Sequence, residues 1–186
     1  MARTPSNMLA LETKAPDFAL LDTKSNKILQ LNQLKGDKAT VIMFICNHCP
    51  FVIHVNPELV KIANEYQNKG INFIAISSND VINYPQDGPG LMHQHAIDND
   101  YPFPYLYDET QELAKAYDAA CTPDFYIFND GLKLAYRGQL DDSRPGNEIP
   151  LSGKDLRNSL DNILNNSPQV LDQKPSIGCN IKWKDN

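Results

Sequence analysis

The residues that decide the fold are Thr40-Val-Ile-Met-Phe-Ile45, followed directly by Cys46-Asn-His-Cys-Pro50. This unbroken run of apolar and β-branched residues predicts a strand buried on both faces, as in a parallel sheet covered by helices. A helix is predicted next: Pro50 fits its opening, Asn56-Pro57-Glu58 opens its clearest part, and Gly70 is typical of its end. The run 71–76 predicts a second strand. The cysteines thus follow the first strand of a strand–helix–strand unit, where open α/β sheets place their sites.

The rest of the chain predicts one α/β domain around this unit. Two apolar runs, 18–21 and 28–31, predict an N-terminal β-hairpin, and Asn129-Asp130-Gly131 predicts the turn of a second hairpin. The other predicted elements are helices at 91–97, 109–117 and 151–164 and strands at 105–107, 124–128 and 132–136. We expect a central mixed β-sheet flanked by helices. The predicted divisions are an N-terminal segment at 1–13, the domain at 14–167 and an extended C-terminal tail at 168–186, packed on the domain.

Composition and charge limit the class of protein. The 186 residues are 41% hydrophobic and 22% charged, which suits one domain that buries a core without cross-links. A net charge of −6 argues against nucleic acid as a partner, because phosphate binding needs a basic surface. No run approaches the roughly 20 apolar residues of a membrane span, and the N-terminus lacks an apolar signal segment. We therefore predict a cytoplasmic protein with neither a membrane nor a nucleic-acid partner.

The spacing of Cys46 and Cys49 predicts thiol–disulfide chemistry. A thiolate rather than a thiol attacks disulfides, so we expect a low pKa for Cys46 as the attacking residue. The positive end of the following helix and a charge or hydrogen bond from His48 would both favour the thiolate. Cys49 lies one helical turn along and is the expected resolving partner. This chemistry requires no bound cofactor.

A metal site is the main alternative for paired cysteines. Structural zinc needs four ligands, usually supplied by a second CxxC or a pair of spaced histidines. Haem attachment needs a histidine directly after the second cysteine, where this chain has Pro50. We therefore predict no metal and assign His93 and His95 to a surface loop. The remaining candidate ligands lack matching spacing, and they are His54, His93, His95, Cys121 and Cys179.

Several motifs together resemble a known group of proteins. They are Ala15-Pro16-Asp17-Phe18, the strand into Cys46-Asn-His-Cys-Pro50, and Thr122-Pro123 before a strand. Together they resemble the thioredoxin superfamily, and specifically the thioredoxin-like proteins grouped with the alkyl hydroperoxide reductase/thiol-specific antioxidant (AhpC/TSA) family. The segments 124–128, 136–146 and 175–183 are similar to a peroxiredoxin-like subgroup that carries CNHCP. The resemblance extends from about residue 14 to the tail and implies a thioredoxin-like fold.

The resemblance also implies roles for residues outside the cysteine pair. In that superfamily the proline at the Thr122-Pro123 position is cis and faces the CxxC, so Pro123 is expected to dock a substrate chain as an extra strand. Cys121 directly precedes this motif, which would put its sulfur near Cys46. Cys179 lies in the tail. We hypothesise that Cys121 or Cys179 relays the disulfide away from Cys46 and Cys49, although a buried packing role is equally expected for Cys121.

Two departures from the family patterns narrow the chemistry. Peroxiredoxins carry Pro-x-x-x-Thr/Ser-x-x-Cys, whereas the residues seven and three before Cys46 are Ala39 and Met43. Many thioredoxins also bury a carboxylate on the strand before the CxxC, and 41–45 contains none. The first departure favours disulfide exchange over peroxide reduction. The second requires His48 or another group to move protons.

The leading hypothesis is therefore a thiol–disulfide oxidoreductase with a candidate role in antioxidant defence. Its expected partners are a protein or small-molecule disulfide as substrate and a reducing dithiol protein. One alternative is a thiol peroxidase in which Cys46 forms a sulfenic acid. Another is a thioredoxin-fold protein that handles Cu(I), because soft thiolates favour that ion.

Overall fold

The described part of the chain, residues 3–185 of a computed structural model, combines ten strands with five α-helices. Met1, Ala2 and Asn186, which belong to the predicted terminal segments, lie outside the described residues. The strands are β1 Thr4–Pro5, β2 Ala19–Asp22, β3 Lys27–Gln30, β4 Ala39–Phe44, β5 Ile71–Ser77, β6 Tyr105–Tyr107, β7 Cys121–Thr122, β8 Asp124–Asn129, β9 Leu134–Gly138 and β10 Ile177–Asn180. The helices are α1 Leu31–Leu34, α2 Pro50–Tyr66, α3 Pro89–Asp98, α4 Glu112–Ala116 and α5 Lys154–Leu164.

A seven-stranded mixed sheet forms the centre of the fold, with β4 inside it. The strand order is β3-β2-β6-β5-β4-β8-β9. β4 runs parallel to β5 and antiparallel to β8, so that Met43 lies opposite both Ala75 and Phe125. The N-terminal hairpin of β2 and β3 extends the sheet beside β6, and the hairpin of β8 and β9 ends it. The predicted α/β fold with a mixed sheet flanked by helices is confirmed.

Alternating side chains of β4 build one apolar layer on each face of the sheet. Val41, Met43 and Ile45 belong to the layer that packs against α2, α3 and α5. Ile42 and Phe44 belong to the opposite layer, which includes residues of α1 and α4. Because successive strand residues point to opposite faces, a strand covered on both sides must be apolar throughout. This packing fixes the end of β4, and with it the position of the cysteine pair.

Helix α2 begins at Pro50, as that proline indicated, about two turns before the helix signal at Asn56-Pro57-Glu58. Asn56 is not the cap, and both Asn56 and Pro57 lie inside the helix. The Asn56 side chain is buried and accepts a hydrogen bond from the Tyr101 hydroxyl at 2.9 Å, and its Nδ2 lies 3.2 Å from Nε2 of His95. The Asn56 side-chain amide thus makes tertiary contacts and does not cap the helix. The earlier start makes Cys49 the N-cap residue.

Three further predictions about helices need correction. α4 and α5 begin later than predicted, because Gln111 and Gly153 directly before them adopt the left-handed backbone conformation, each with φ of 63°. His93 and His95 lie on α3, not in a surface loop. His93 Nδ1 is 2.8 Å from the carbonyl oxygen of Thr23, which ties α3 to the N-terminal hairpin.

The C-terminal tail contains a strand that the sequence did not predict. β10 pairs antiparallel with β1 on one side and with β7 on the other, and forms a three-stranded sheet. Ser6, directly after β1, makes two hydrogen bonds with Ser176, directly before β10. Its backbone N–H donates to the Ser176 carbonyl at 2.8 Å, and its hydroxyl accepts from the Ser176 N–H at 2.9 Å. The tail therefore lies against the strand that leads into Pro123. Across residues 3–185, no helix has the length and apolarity needed to cross a membrane.

Candidate active site

The two cysteines predicted to carry the chemistry lie between the end of β4 and the start of α2. Their thiols are almost completely buried, at 1% exposure for Cys46 and 0% for Cys49. All four cysteines of the chain are described and all are reduced. The Thr122–Pro123 peptide bond is cis, as the resemblance implies, and Thr122 reaches both sulfurs of the pair. The structure thus brings Cys46, Cys49, Thr122 and Pro123 together at one edge of the sheet.

Thr122 offers a separate hydrogen-bonding group to each thiol. Its hydroxyl oxygen lies 3.4 Å from Sγ of Cys46, and its carbonyl oxygen lies 3.2 Å from Sγ of Cys49. The carbonyl can only accept, so it suits Cys49 in its protonated form. The hydroxyl can donate to a Cys46 thiolate. Thr122 therefore favours a state with the proton on Cys49 and the charge on Cys46.

A second set of contacts favours the opposite charge distribution. Hydrogen bonds from the thiol of Cys46, from Cys179 and from the Val52 N–H outweigh burial and lower the pKa of Cys49 to about 5. The hydrogen bond to Cys49, burial and the negative charge of Asp87 raise the pKa of Cys46 well above its usual value. Two thiols in such contact titrate as a unit, which here loses its first proton easily and its second with difficulty.

This result corrects the expected effect of the helix N-terminus. The sequence predicted that the end of α2 lowers the pKa of Cys46, but the N-cap residue is Cys49, and the Val52 N–H, which donates to the Cys49 carbonyl at 2.9 Å, lowers the pKa of Cys49. The contacts around Cys49 therefore favour its thiolate, whereas Thr122 favours the thiolate of Cys46. The choice of Cys46 as the attacking residue stays a prediction.

Asp87 is a site residue that the sequence did not reveal. Its carboxylate is fully buried. It accepts hydrogen bonds from the Asn47 N–H at 2.9 Å and from Nδ2 of Asn79 at 2.8 Å, and it lies 2.7 Å from Nδ1 of His48. The loop after β5 carries Asp87, and β5 is parallel to β4, so both strands end at the same edge of the sheet. That shared edge is the signal that identifies the loop as part of the site.

His48 lies where the sequence placed it, beside the cysteines and partly open to solvent. Its side chain is 27% exposed and stacks on the Tyr84 ring, with centroids 5.8 Å apart and planes 6° apart. One ring nitrogen faces Asp87 at 2.7 Å. A histidine in this position joins a buried carboxylate to the solvent side of the site, which suits the transfer of protons.

The other buried carboxylate near Pro123 belongs to a different network. Asp124 pairs with Nη2 of Arg137 at 3.1 Å, with both side chains fully buried, and burial raises the pKa of Asp124 to about 7. Arg137 also lies over the Tyr126 ring, 4.5 Å from its centroid. Asp124 and Tyr126 share one face of β8, and Phe125 between them belongs to the α2 side. We therefore assign the Asp124–Arg137 pair to the structural core and not to the redox site.

Cys121 and Cys179 occupy different environments, although their strands are paired. Cys179 lies opposite Thr122 in the pairing of β10 with β7, and it hydrogen bonds to Cys49 through both its backbone and its side chain. Cys121 lies opposite Asn180, its thiol donates to the Pro123 carbonyl at 3.8 Å, and burial raises its pKa. Cys179 is therefore the third sulfur in contact with the pair.

One group of possible metal ligands occurs at the site. Single ligand atoms of Cys46, His48 and Asp87 lie within 4.8 Å of one another. A thiolate, an imidazole and a carboxylate suit zinc better than Cu(I), which prefers sulfur ligands. Asp87 already accepts hydrogen bonds from Asn47 and Asn79. These hydrogen bonds satisfy the Asp87 carboxylate without an ion.

Two segments lie against the site, the loop 78–88 through its contacts with His48 and the tail 176–184 through the contact of Cys179 with Cys49. They are joined to each other by backbone contacts at Lys182. The Asp80 N–H donates to the Lys182 carbonyl at 2.8 Å, and the Lys182 N–H donates to Oδ1 of Asn79 at 2.9 Å. Gln111 bridges the two segments, because its Nε2 donates to the carbonyls of Ser78 and Lys182 at 2.6 and 2.8 Å. We call these two segments the covering segments.

Comparison with known proteins agrees with this fold. The chain belongs to the AhpC/TSA family, whose model matches residues 11–137. An uncharacterized conserved protein from Geobacillus kaustophilus is 58% identical, with a TM-score of 0.98 over 100% of this chain and 98% of that one. A putative thioredoxin from Neisseria meningitidis is 26% identical, with a TM-score of 0.63 over 83% and 93% of the two chains. These matches confirm the thioredoxin-like fold.

A curated relative adds a named activity. The thiol-disulfide oxidoreductase ResA of Halalkalibacterium halodurans is 26% identical over 118 residues. The match covers 63% of this chain and 61% of that protein, so this chain spans less than two thirds of the relative's length.

Proposed function

We propose that this protein is a thiol–disulfide oxidoreductase that exchanges disulfides through Cys46 and Cys49. The observation that carries the proposal is the coupled pair of thiols at the start of α2, opposite cis-Pro123 and in contact with Thr122. Membership of the AhpC/TSA family and the likeness to a named thiol-disulfide oxidoreductase support an oxidoreductase enzyme. The cytoplasmic location, the antioxidant role and the reducing dithiol partner stay predictions.

In the proposed reaction Cys46 is the nucleophile. When Cys49 is protonated, its thiol donates a hydrogen bond to the Thr122 carbonyl. The Thr122 hydroxyl then donates a hydrogen bond to the Cys46 thiolate. The thiolate attacks a substrate disulfide, which forms a Cys46–substrate bond and expels one substrate thiolate. Cys49 then attacks the Cys46 sulfur and expels the second substrate thiolate. The enzyme is left with a Cys46–Cys49 disulfide, and two electrons have passed to the substrate.

Protons must leave and enter the buried pair during this cycle. We assign this transfer to His48 and Asp87, which replace the carboxylate that β4 lacks. His48 is partly exposed and lies 2.7 Å from the fully buried Asp87, whose charge acts on Cys46. The two leaving thiolates of the substrate need protons, and a histidine near solvent can relay protons between water and the site.

The peroxidase alternative receives less support from the site. A peroxidatic cysteine needs to be a stable thiolate that peroxide can reach. Peroxiredoxins also place a proline and a Thr or Ser seven and three residues before that cysteine, where this chain has Ala39 and Met43. We therefore expect peroxide consumption by the protein to be slow beside its exchange with disulfides.

Trapping of a mixed disulfide tests the proposal. Cys49→Ser keeps the proposed nucleophile and removes the resolving thiol, so it should accumulate a Cys46–substrate bond with a model disulfide protein. Cys46→Ser is the matched control and should accumulate little of it. The adducts are separated without reductant and located by peptide mass mapping. Equal trapping by the two variants, or trapping only by Cys46→Ser, would exclude Cys46 as the attacking residue.

A further inference from the structure

The edge expected to dock substrate is already occupied by the protein's own tail. β10 pairs antiparallel with β7, and the register places Cys179 opposite Thr122, the residue before cis-Pro123. A strand in this position has the geometry of a bound peptide that adds to a sheet edge. The contact is close, since a Cβ on Gly178 would lie 1.9 Å from the Thr122 carbonyl oxygen. Glycine at 178 therefore permits the strand to approach the site.

The tail also brings a thiol to the position that a substrate cysteine would need. Cys179 is buried, and its backbone and side chain both hydrogen bond to Cys49. Cys46 makes its own hydrogen bond to Cys49, so the three sulfurs form a chain with Cys49 in the middle. Exchange of a disulfide between neighbouring sulfurs requires this kind of contact.

The strand is fixed at both ends, but the chain that leads to it is exposed. The Ser176 hydroxyl donates to the Pro123 carbonyl at 2.6 Å, and Lys182 is tied to Asn79 and Asp80 beyond the strand. Most residues between 165 and 175 are solvent-exposed. The strand is therefore held by its pairing with β1 and β7, by these polar contacts and by the burial of Cys179 and Ile181, all of which its release must break.

We infer that Cys179 is a third redox residue, an internal substrate that forms a reversible disulfide with Cys49. This inference rests on the proposed function and deepens it. In the oxidised enzyme the sulfur of Cys179 attacks Cys49, the Cys46–Cys49 bond breaks and the Cys49–Cys179 bond forms. The proton of Cys179 passes to the departing Cys46, and no net oxidation takes place. The new bond holds β10 against the docking edge. Protein substrates bind there after the bond is reduced and the strand has moved away.

The acid–base properties of the two thiols agree with this direction of proton transfer. Burial raises the pKa of Cys179 to about 12, so it attacks as a thiol that must lose its proton during the step. Two of the causes that raise the pKa of Cys46, burial and the negative charge of Asp87, do not depend on a free Cys49 thiol, so the leaving sulfur still accepts a proton. The exchange is therefore expected to be slower than attack on a substrate by a preformed thiolate.

Oxidation of the Cys46→Ser variant tests the inference. The full-length variant is treated with oxidised glutathione, quenched by alkylation under denaturing conditions and mapped by mass spectrometry. We expect a Cys49–Cys179 disulfide, which should persist in Cys46→Ser/Cys121→Ser. In Cys46→Ser/Cys179→Ser, Cys49 should instead carry glutathione. Cys46→Ala provides a second background without the serine hydroxyl, and circular dichroism checks that each variant is folded.

The possible outcomes separate this inference from the proposed function. If folded Cys46→Ser and Cys46→Ala both give Cys49–glutathione with Cys179 alkylated, or a bond from Cys49 to Cys121, Cys179 is not a redox residue. The proposed function survives that result if the wild-type protein still forms Cys46–Cys49. If the wild-type protein forms no Cys46–Cys49 bond, the proposed function fails whatever Cys179 does.

Discussion

The unit of β4, α2 and β5 and the two covering segments surround the same cysteine pair, but they are built in different ways. The unit is continuous in sequence, is apolar on both faces of its strands and packs mainly through side chains such as Leu59, which is fully buried. The covering segments mix polar and apolar residues, are about a hundred residues apart at Asn79 and Lys182, and meet through hydrogen bonds of the Lys182 backbone. A rigid apolar unit thus positions the thiols, whereas weaker polar contacts between the covering segments control access to them.

The largest expected effect comes from a cavity in the unit. Leu59→Ala should lower the free energy of unfolding by about 2–5 kcal/mol, because the lost contacts are only partly replaced when a buried side chain is shortened. Chemical denaturation of the reduced protein measures the change. Ile53→Ala is the matched control on the same helix, since Ile53 is 54% exposed, and should have a much smaller effect. Equal losses would show that α2 does not anchor the site as described.

Removal of the buried Asp87 charge should change the rate of disulfide exchange more than the free energy of unfolding. Asp87→Asn should slow disulfide exchange by roughly 10²-fold, the lower end for a positioned acid–base group. It should also move the second thiolate ionisation to lower pH, because the Asp87 charge raises the pKa of Cys46. Single-turnover rates across pH and thiolate absorbance measure both. Asp98→Asn, an exposed carboxylate on α3, is the control. An unchanged pH profile would remove Asp87 from the mechanism.

The lowered pKa of Cys49 makes the stability of the reduced protein depend on pH. The folded-state pKa of about 5 lies below the ordinary thiol value of 9.0, so the folded chain binds fewer protons between these values. The stabilisation from this ionisation is complete above pH 9.0 and is lost as the pH falls through about 5. The difference in unfolding free energy between wild type and Cys49→Ser should therefore shrink from pH 8 to pH 5. A difference independent of pH would contradict the assigned thiolate.

The smallest effect is expected in the tail. Ser176→Ala removes the hydrogen bond to the Pro123 carbonyl and should cost about 0.5–1.5 kcal/mol. The change should appear as faster amide hydrogen exchange in β10, with exchange in β4 and β5 unchanged. Ser167→Ala, an exposed serine before the tail strand, should leave both regions unaffected. Equal acceleration in β4 would show that the tail and the unit open together.

The two regions also differ in how far the sequence predicts them. The strand at 40–45, the position of Cys46 and Cys49 and both hairpins follow from local patterns of apolar and turn residues. Asp87 could not be predicted from residue type alone, since its role depends on parallel strands that end at one edge. The pairing of β10 was missed because Gly178 and its neighbours show no alternating pattern, and a two-residue partner strand provides almost no signal. Contacts distant in sequence and made by backbone groups leave few traces in the residues themselves.

The start of α2 shows the same limit on a smaller scale. Asn56 and Pro57 have the residue types of a helix N-terminus, but the helix begins at Pro50 and buries Asn56 against Tyr101. Tertiary contacts overrode the local preference there. The consequence for the site is direct, because it makes Cys49 the cap residue.

The most direct test of the central claim is the equilibrium of the wild-type protein in redox buffers of known potential. Quenched samples are mapped to find which cysteines are joined at each potential. We predict one reversible two-electron transition with a Cys46–Cys49 bond as the first disulfide formed, at a potential in the range of about −270 to −120 mV found for thioredoxin-fold exchangers. Persistence of both thiols as alkylatable groups throughout that range, in folded protein, would contradict the proposal.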